Sequence, residues 1–281
     1  MAWGVTPEPI SPVTNLDAGE TDSMQTDDEE TFEFNFNDYE DVEEKKEIFS
    51  VYGHKNDGKT TISYGIPEEG DKVLVFSFDN KSKRPTEAEY IKKGNLTIYV
   101  VNAIQFIDAS KDDKYLASNA KTLRFIVEML KQAKEEFGPD WVMFDGTENM
   151  SRVAEMAMRF KNNLKPYQGI ANRTLWTERK QYLADIHRKA VNVSKKGVIY
   201  TMYSQKDEII IDGNTEKKTD VPRWVGSIME ETDVTIKAVV KQEGGKRVFR
   251  AQVDGSKLPD KYTDGIYDVT GKRFRDVVVK Q

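Results

Sequence analysis

Gly53, His54, Lys55, Asn56, Asp57, Gly58, Lys59 and Thr60 follow one another in a spacing suited to cradling a phosphate chain. Glycines at the first and sixth places permit backbone angles and close approaches that a Cβ would block. The N–H groups of such a loop point inward at phosphate oxygens, and a helix N-terminus behind it adds partial positive charge. Lys59 is expected to reach the terminal phosphates and the Thr60 hydroxyl to ligate Mg2+, with Thr61 a further candidate behind it. His54 lies at a variable loop position that ordinarily faces solvent, so it is read as part of the loop and incidental to the chemistry.

A second acid belongs with this loop. Asp145 closes the apolar run Trp141–Phe144, and a carboxylate at such a strand end holds Mg2+ through water. Turnover of a nucleotide also requires a group that orients or deprotonates the attacking water. Two carboxylates compete for that role: Asp79, at the end of Lys72–Phe78, and Glu148, close behind Asp145. Each also reads as a helix cap or a solvated loop charge. Two separated histidines, His54 and His187, and no cysteine exclude a thiolate metal site and any disulfide. Cysteine-free composition fits the cytosol.

The elements that must position these residues are legible in outline. Glu47–Tyr52 reads as a buried strand running into the glycine loop, with a helix starting near Lys59. Lys72–Phe78, Asn95–Val101 and Trp141–Phe144 are further strands. Residues 113–137 form a long amphipathic helix stopped by Gly138-Pro139. Residues 149–163 and 173–193 read as helices, and Gly197–Tyr203 as a strand ending at Ser204-Gln205. Beyond it come a hairpin over 207–219 around Asp212-Gly213-Asn214 and two strands, 233–242 and 246–254, joined at Gly244-Gly245. Strands alternating with helices and then closing with strands predict an α/β fold: a mostly parallel sheet flanked by helices, with antiparallel C-terminal edge strands.

Charge divides the chain. Residues 1–48 hold 15 acidic and two basic side chains, so the rest carries a net +7 although the whole chain is −6. Residues 1–30 bury too little to offset ordering entropy and read as a disordered acidic leader. Residues 31–46 form an acidic, Phe-rich linker, in which Phe32, Phe34 and Phe36 alternate like one face of a strand. The leader reads as a solubilising tail, or as an arm that competes for the basic body or for a neighbour's sheet edge. No run of about 20 apolar residues marks a membrane span, and no basic-then-apolar start marks a secretory signal.

From residue 47 to about residue 270 the chain resembles the RecA-like P-loop ATPases, and within them the small phage and archaeal-virus RecA-core proteins grouped with single-strand annealing recombinases. The phosphate loop near the start, Asp79 and Asp145 at strand ends, and the polar pair Ser204-Gln205 carry the resemblance. It implies a RecA-like domain over 47–281 that uses ATP and Mg2+. It implies that the carboxylate ending the second strand activates water; RecA proteins have Glu there, and Asp79 is one methylene shorter. It implies that Gln205 senses the γ-phosphate. In the run Val253–Pro259 it points to Lys257 as a cation reaching a neighbouring subunit's phosphate, with Arg250 its rival. Both also read as plain surface cations.

The resemblance further implies single-stranded DNA at loops near 147–175 and 206–226, where Lys206, Lys217, Lys218, Arg223 and Trp224 supply charge and a ring. The helix over 173–193 adds Arg173, Arg179 and Lys180, with Trp176 more suited to the core. The expected protein is an oligomeric ring or filament, an ATP-dependent single-strand-binding ATPase acting in recombination or strand annealing during viral replication. Single-strand-binding or other replication proteins are further partners to expect, and a membrane is not. Three alternatives stay open: a helicase-related motor or loader, a nucleotide-switched binding module without turnover, and a small-molecule kinase, against which the C-terminal strands argue.

Overall fold

The computed structural model describes residues 46–79, 82–211, 214–223, 228 and 230–279, without the side chains of 207–211 and 214–219. The acidic leader, the Phe32–Phe36 alternation and Trp224 lie outside the described residues, as do the side chains of Lys217 and Lys218.

The chain runs β1 (Glu47–Gly53), α1 (Lys59–Tyr64), β2 (Lys72–Ser77), a 3-10 turn (Arg84–Glu87), α2 (Glu89–Lys92) and β3 (Thr97–Asn102). It continues through α3 (Asp112–Glu136), β4 (Trp141–Asp145), α4 (Thr147–Lys161), α5 (Arg173–Val193), β5 (Gly197–Ile211) and β6 (Asn214–Pro222). It closes with β7 (Val234–Glu243), β8 (Lys246–Ser256), β9 (Gly265–Asp268) and α6 (Phe274–Val278). The sheet order is β3-β2-β4-β5-β1-β7-β8-β9, with β6 paired to β5. Neighbours from β3 through to β7 are parallel, while β8, β9 and β6 pair antiparallel. This is an α/β core: a mostly parallel sheet flanked by helices, with antiparallel strands at one edge.

The apolar runs of the central strands follow from burial on both faces. Along β1, Ile48 and Tyr52 pack with Ile126, Leu130 and Leu183 of α3 and α5. Phe49 and Val51 point the other way, toward Ile62 of α1 and Phe274 of α6. Burying each such side chain stabilises the fold by about 1.5–3 kcal/mol. One aromatic row matters for the site. Phe76 of β2, Phe144 of β4 and Tyr200 of β5 are register partners. Their rings stack at 5.3 and 5.4 Å, geometry worth about 0.5–1.5 kcal/mol per pair beyond burial. This ladder holds the next residues along, Ser77, Asp145 and Thr201, level across three strands.

Several elements depart from the sequence expectation. β5 does not end at Ser204-Gln205 but continues to Ile211, because pairing with β6 carries its backbone hydrogen bonds beyond the parallel sheet. β7, expected among the antiparallel closing strands, joins β1 in parallel. α4 starts at Thr147 rather than 149, since Gly146, at φ +97°, turns the chain at once after β4. The short α2, β9 and α6 had no periodic signal long enough to read. Among the described residues no helix is long and apolar enough to cross a membrane.

Candidate functional site

β1 delivers the glycine loop to the carboxyl edge of the sheet, where open α/β sheets bind ligands. Gly53 packs so tightly that an added Cβ would stand 2.7 Å from the Ala238 carbonyl oxygen. Gly58 caps α1 at φ +83° and lies under the Phe249 ring, 2.9 Å from where a Cβ would be. A side chain is therefore disfavoured at both positions. Asp57 accepts from the His54 N–H at 2.7 Å and closes the loop. Lys59 Nζ donates to the carbonyls of His54 (2.7 Å) and Gly53 (3.2 Å) and lies 4.3 Å over the Tyr203 ring. Burial lowers the Lys59 pKa, with Asp57 and Glu148 pulling it back up.

The structure brings Thr60 and Asp145 together: Thr60 Oγ1 lies within hydrogen-bond distance of both Asp145 oxygens, at 3.1 and 3.2 Å. Asp145 also accepts from Ser82 Oγ (2.6 Å) and Thr201 Oγ1 (2.5 Å). Thr201 Oγ1 in turn accepts from the Gly146 N–H at 2.9 Å. Burial raises the Asp145 pKa, and these hydroxyl donors oppose the shift. A hydroxyl beside a carboxylate is a hard-oxygen set suited to Mg2+. Among the described residues no group of three or more His, Asp or Glu could hold a metal ion unaided. Thr60 and Asp145 would thus hold Mg2+ jointly with phosphate oxygens and water, and the ion would neutralise charge on those phosphates.

An open cleft of about 370 Å³ lies over the loop. Asp79 and Glu148 both line it, so the two competing carboxylates are brought together with Lys59 and Asp145. Asn149 Nδ2 donates to the Phe78 carbonyl at 3.1 Å and pins the segment carrying Asp79. Glu148 Oε1 accepts from the Tyr203 N–H. Its Oε2 is buried without a hydrogen-bond partner among the described residues. Burial raises the Glu148 pKa, opposed by the Tyr203 N–H.

Other expected residues stand elsewhere. Gln205 is exposed on the continuing strand opposite Val221 and does not line the cleft. Its neighbour Ser204 reaches the loop instead, 3.0 Å from His54 Nδ1. Lys206 pairs with Asp220 at 2.6 Å. Arg223 donates its backbone N–H to Tyr203 O at 2.8 Å. Its side chain lines a second cavity of about 400 Å³ with Arg152, Arg179, Glu148 and Tyr203. Trp176 is half-buried, with the Arg179 guanidinium 4.8 Å from its ring.

Lys257 donates its backbone N–H to Asp233 O, and Asp233 donates to Ile48 O, which places Lys257 at the end of β1 opposite the loop. Its Nζ donates to Glu230 O at 2.7 Å. Arg250 pairs with Glu243 at 2.7 Å. Neither cation lines the cleft of its own subunit. Two arginines absent from the sequence reading do line it, Arg84 and Arg247. Ser82 and Thr201 also went unread, because hydroxyl residues in a strand or turn carry no motif.

No family profile and no curated protein sequence matches the chain. Among solved structures it is similar to a KaiC-like protein from Pyrococcus horikoshii, at 12% identity and a TM-score of 0.41, over 84% of this chain and 89% of that one. It is also similar to the flagellar accessory protein FlaH from Methanocaldococcus jannaschii, at 13% identity and a TM-score of 0.37, with the same coverage. Likenesses this distant add nothing to what the strand order itself gives.

Proposed function

We propose that the chain is a Mg2+-dependent ATPase of the RecA-like type whose turnover answers to single-stranded DNA, acting as an oligomer in recombination or strand annealing of a virus. The observation that carries the ATPase reading is the meeting of Thr60, which follows β1, with Asp145, which ends β4, at the mouth of a loop that tolerates only glycine at 53 and 58. Lys59 would leave the carbonyls of Gly53 and His54 for the phosphates. Asp79 would activate the water, with Glu148 the second candidate at the same cleft. Cations of the β5–β6 hairpin and Arg223 support the DNA reading, since they lie on segments that touch Ser204, Tyr203 and through them the phosphate loop. Lys257 and Gln205 retain a role only toward a neighbour, Lys257 as a cation on its phosphates.

The test is ATP turnover with and without single-stranded DNA, with Lys59→Ala as the blank. Stimulation by single strands and not by duplex supports the reading. Turnover indifferent to DNA removes the recombination role, and no turnover at all turns the protein into a nucleotide-switched binding module.

A further inference from the structure

The cleft needs more positive charge than the motifs supply. A nucleoside triphosphate brings about four negative charges, and Asp79, Asp145 and Glu148 already face it. Lys55 and Lys59 are the only cations that the glycine loop contributes. The remaining two come from walls on either side.

Arg247 stands just beyond the Gly244-Gly245 turn that joins β7 to β8, where both glycines have positive φ and reverse the chain sharply. Its Nη2 donates to Asn56 O of the loop at 2.9 Å. Its guanidinium lies 5.2 Å from the Phe249 ring, and that ring packs on Gly58. Hairpin and loop are thus in direct contact within one subunit. Arg84 opens the 3-10 turn after β2, past Asp79, and among the described residues its side chain has no hydrogen bond or ion pair. Guanidinium groups suit phosphate because their forked donors match two oxygens at once.

We infer that Arg84 and Arg247 bind the terminal phosphate of a nucleotide held by their own subunit's loop, a pair of in-cis cations on opposite walls of the cleft. Arg247 exchanges its bond to the Asn56 carbonyl for a phosphate oxygen, and the Phe249 ring keeps the guanidinium aimed. This rests on the nucleotide reading but not on turnover or on DNA.

The experiment is equilibrium binding of ATP and ADP to the full chain, for the wild type, Arg84→Ala, Arg247→Ala and Arg247→Lys. Loss of either arginine is expected to weaken ATP about tenfold while ADP changes less than about threefold, with Lys at 247 intermediate. Equal weakening of ATP and ADP would overturn the inference for Arg247, since it would then only brace the loop through Asn56. Unchanged ATP affinity in both alanine variants would overturn it outright.

A second arm separates cis from trans. Arg247→Ala subunits are mixed with Lys59→Ala subunits, which retain Arg247 but cannot turn over. Turnover no greater than the sum of the two alone is expected. Recovery of activity on mixing would show that a neighbour supplies the arginine and would overturn the in-cis assignment. If the wild type binds ATP but does not turn it over, the hydrolase reading fails while the ATP-to-ADP ratio still decides this one.

Discussion

His54 Nε2 lies 3.4 Å from the Asp220 carboxylate, so a residue of the glycine loop touches β6 at the base of the β5–β6 hairpin. The same carboxylate takes Lys206 at 2.6 Å and Lys237 at 3.2 Å. Three strands and the loop therefore converge on one acid. Read from the sequence, His54 had no task.

Asp220 should be a measurable contributor to stability. The hydrogen bond from Lys206, with Lys237 behind it, pulls its pKa down to about 2. A depressed carboxylate stabilises the fold above its unfolded pKa and loses that contribution as pH falls through the folded one. Asp220→Asn should cost about 1 kcal/mol at pH 7, after solvent screening of a surface cluster. Urea unfolding at pH 7 and at pH 3.5 checks this: the gap between variant and wild type should begin to narrow at the lower pH. A gap that is constant with pH rejects it.

Asp145 should behave in the opposite sense. Burial raises its pKa, so the folded chain binds more protons than the unfolded chain above the ordinary Asp range, and stability falls as pH rises there. Asp145→Asn should remove that decline, leaving a protein at least as stable as the wild type at pH 7 but without Mg2+-dependent turnover. Thermal melts at pH 5 and pH 7 beside a turnover assay test it. A variant clearly less stable at pH 7 would mean that the hydroxyl donors outweigh burial.

Asp79→Asn should lower kcat by about a hundredfold or more while ATP affinity stays within about threefold, the pattern of a lost general base. Glu148→Gln should cost less, because Gln still accepts from the Tyr203 N–H. A larger loss in Glu148→Gln would exchange the roles. In that case kcat should climb with pH over a range above ordinary glutamate, since burial holds the Glu148 proton on.

Lys257→Ala should retain ATP binding and lose turnover if subunits assemble with Lys257 facing a neighbour's cleft. Turnover equal to wild type in the assembled protein would leave Lys257 as a surface cation at the far end of β1.

The core of the fold was readable because its strands are buried on both faces, which leaves unbroken apolar runs such as Val73–Phe76 and Trp141–Phe144. The glycine loop stands out in the sequence because its surroundings leave no room for a side chain at Gly53 and hold Gly58 at positive φ. What could not be read depends on register between distant segments. Nothing near Ser82 or Thr201 announces that both donate to Asp145, since only the pairing of β4 with β5 and the turn after β2 bring them there. Arg247 resembles any hairpin cation until β8 is laid beside β7 and the turn meets Asn56. The polar pair Ser204-Gln205 misled because it marks where the parallel sheet stops on that strand, while the strand itself goes on.

That continuation makes β5 a lever. Thr201 lines the cleft against Asp145, and Ile211 ends the same strand ten residues later, past a shift of register at Ile209-Ile210. At about 3.3 Å per residue the arm is about 33 Å long. A tilt of about 5° at Thr201 would sweep the hairpin tip through about 3 Å, on the order of a phosphate's width. The fulcrum and the load are parts of one strand, so the motion requires no hinge between them.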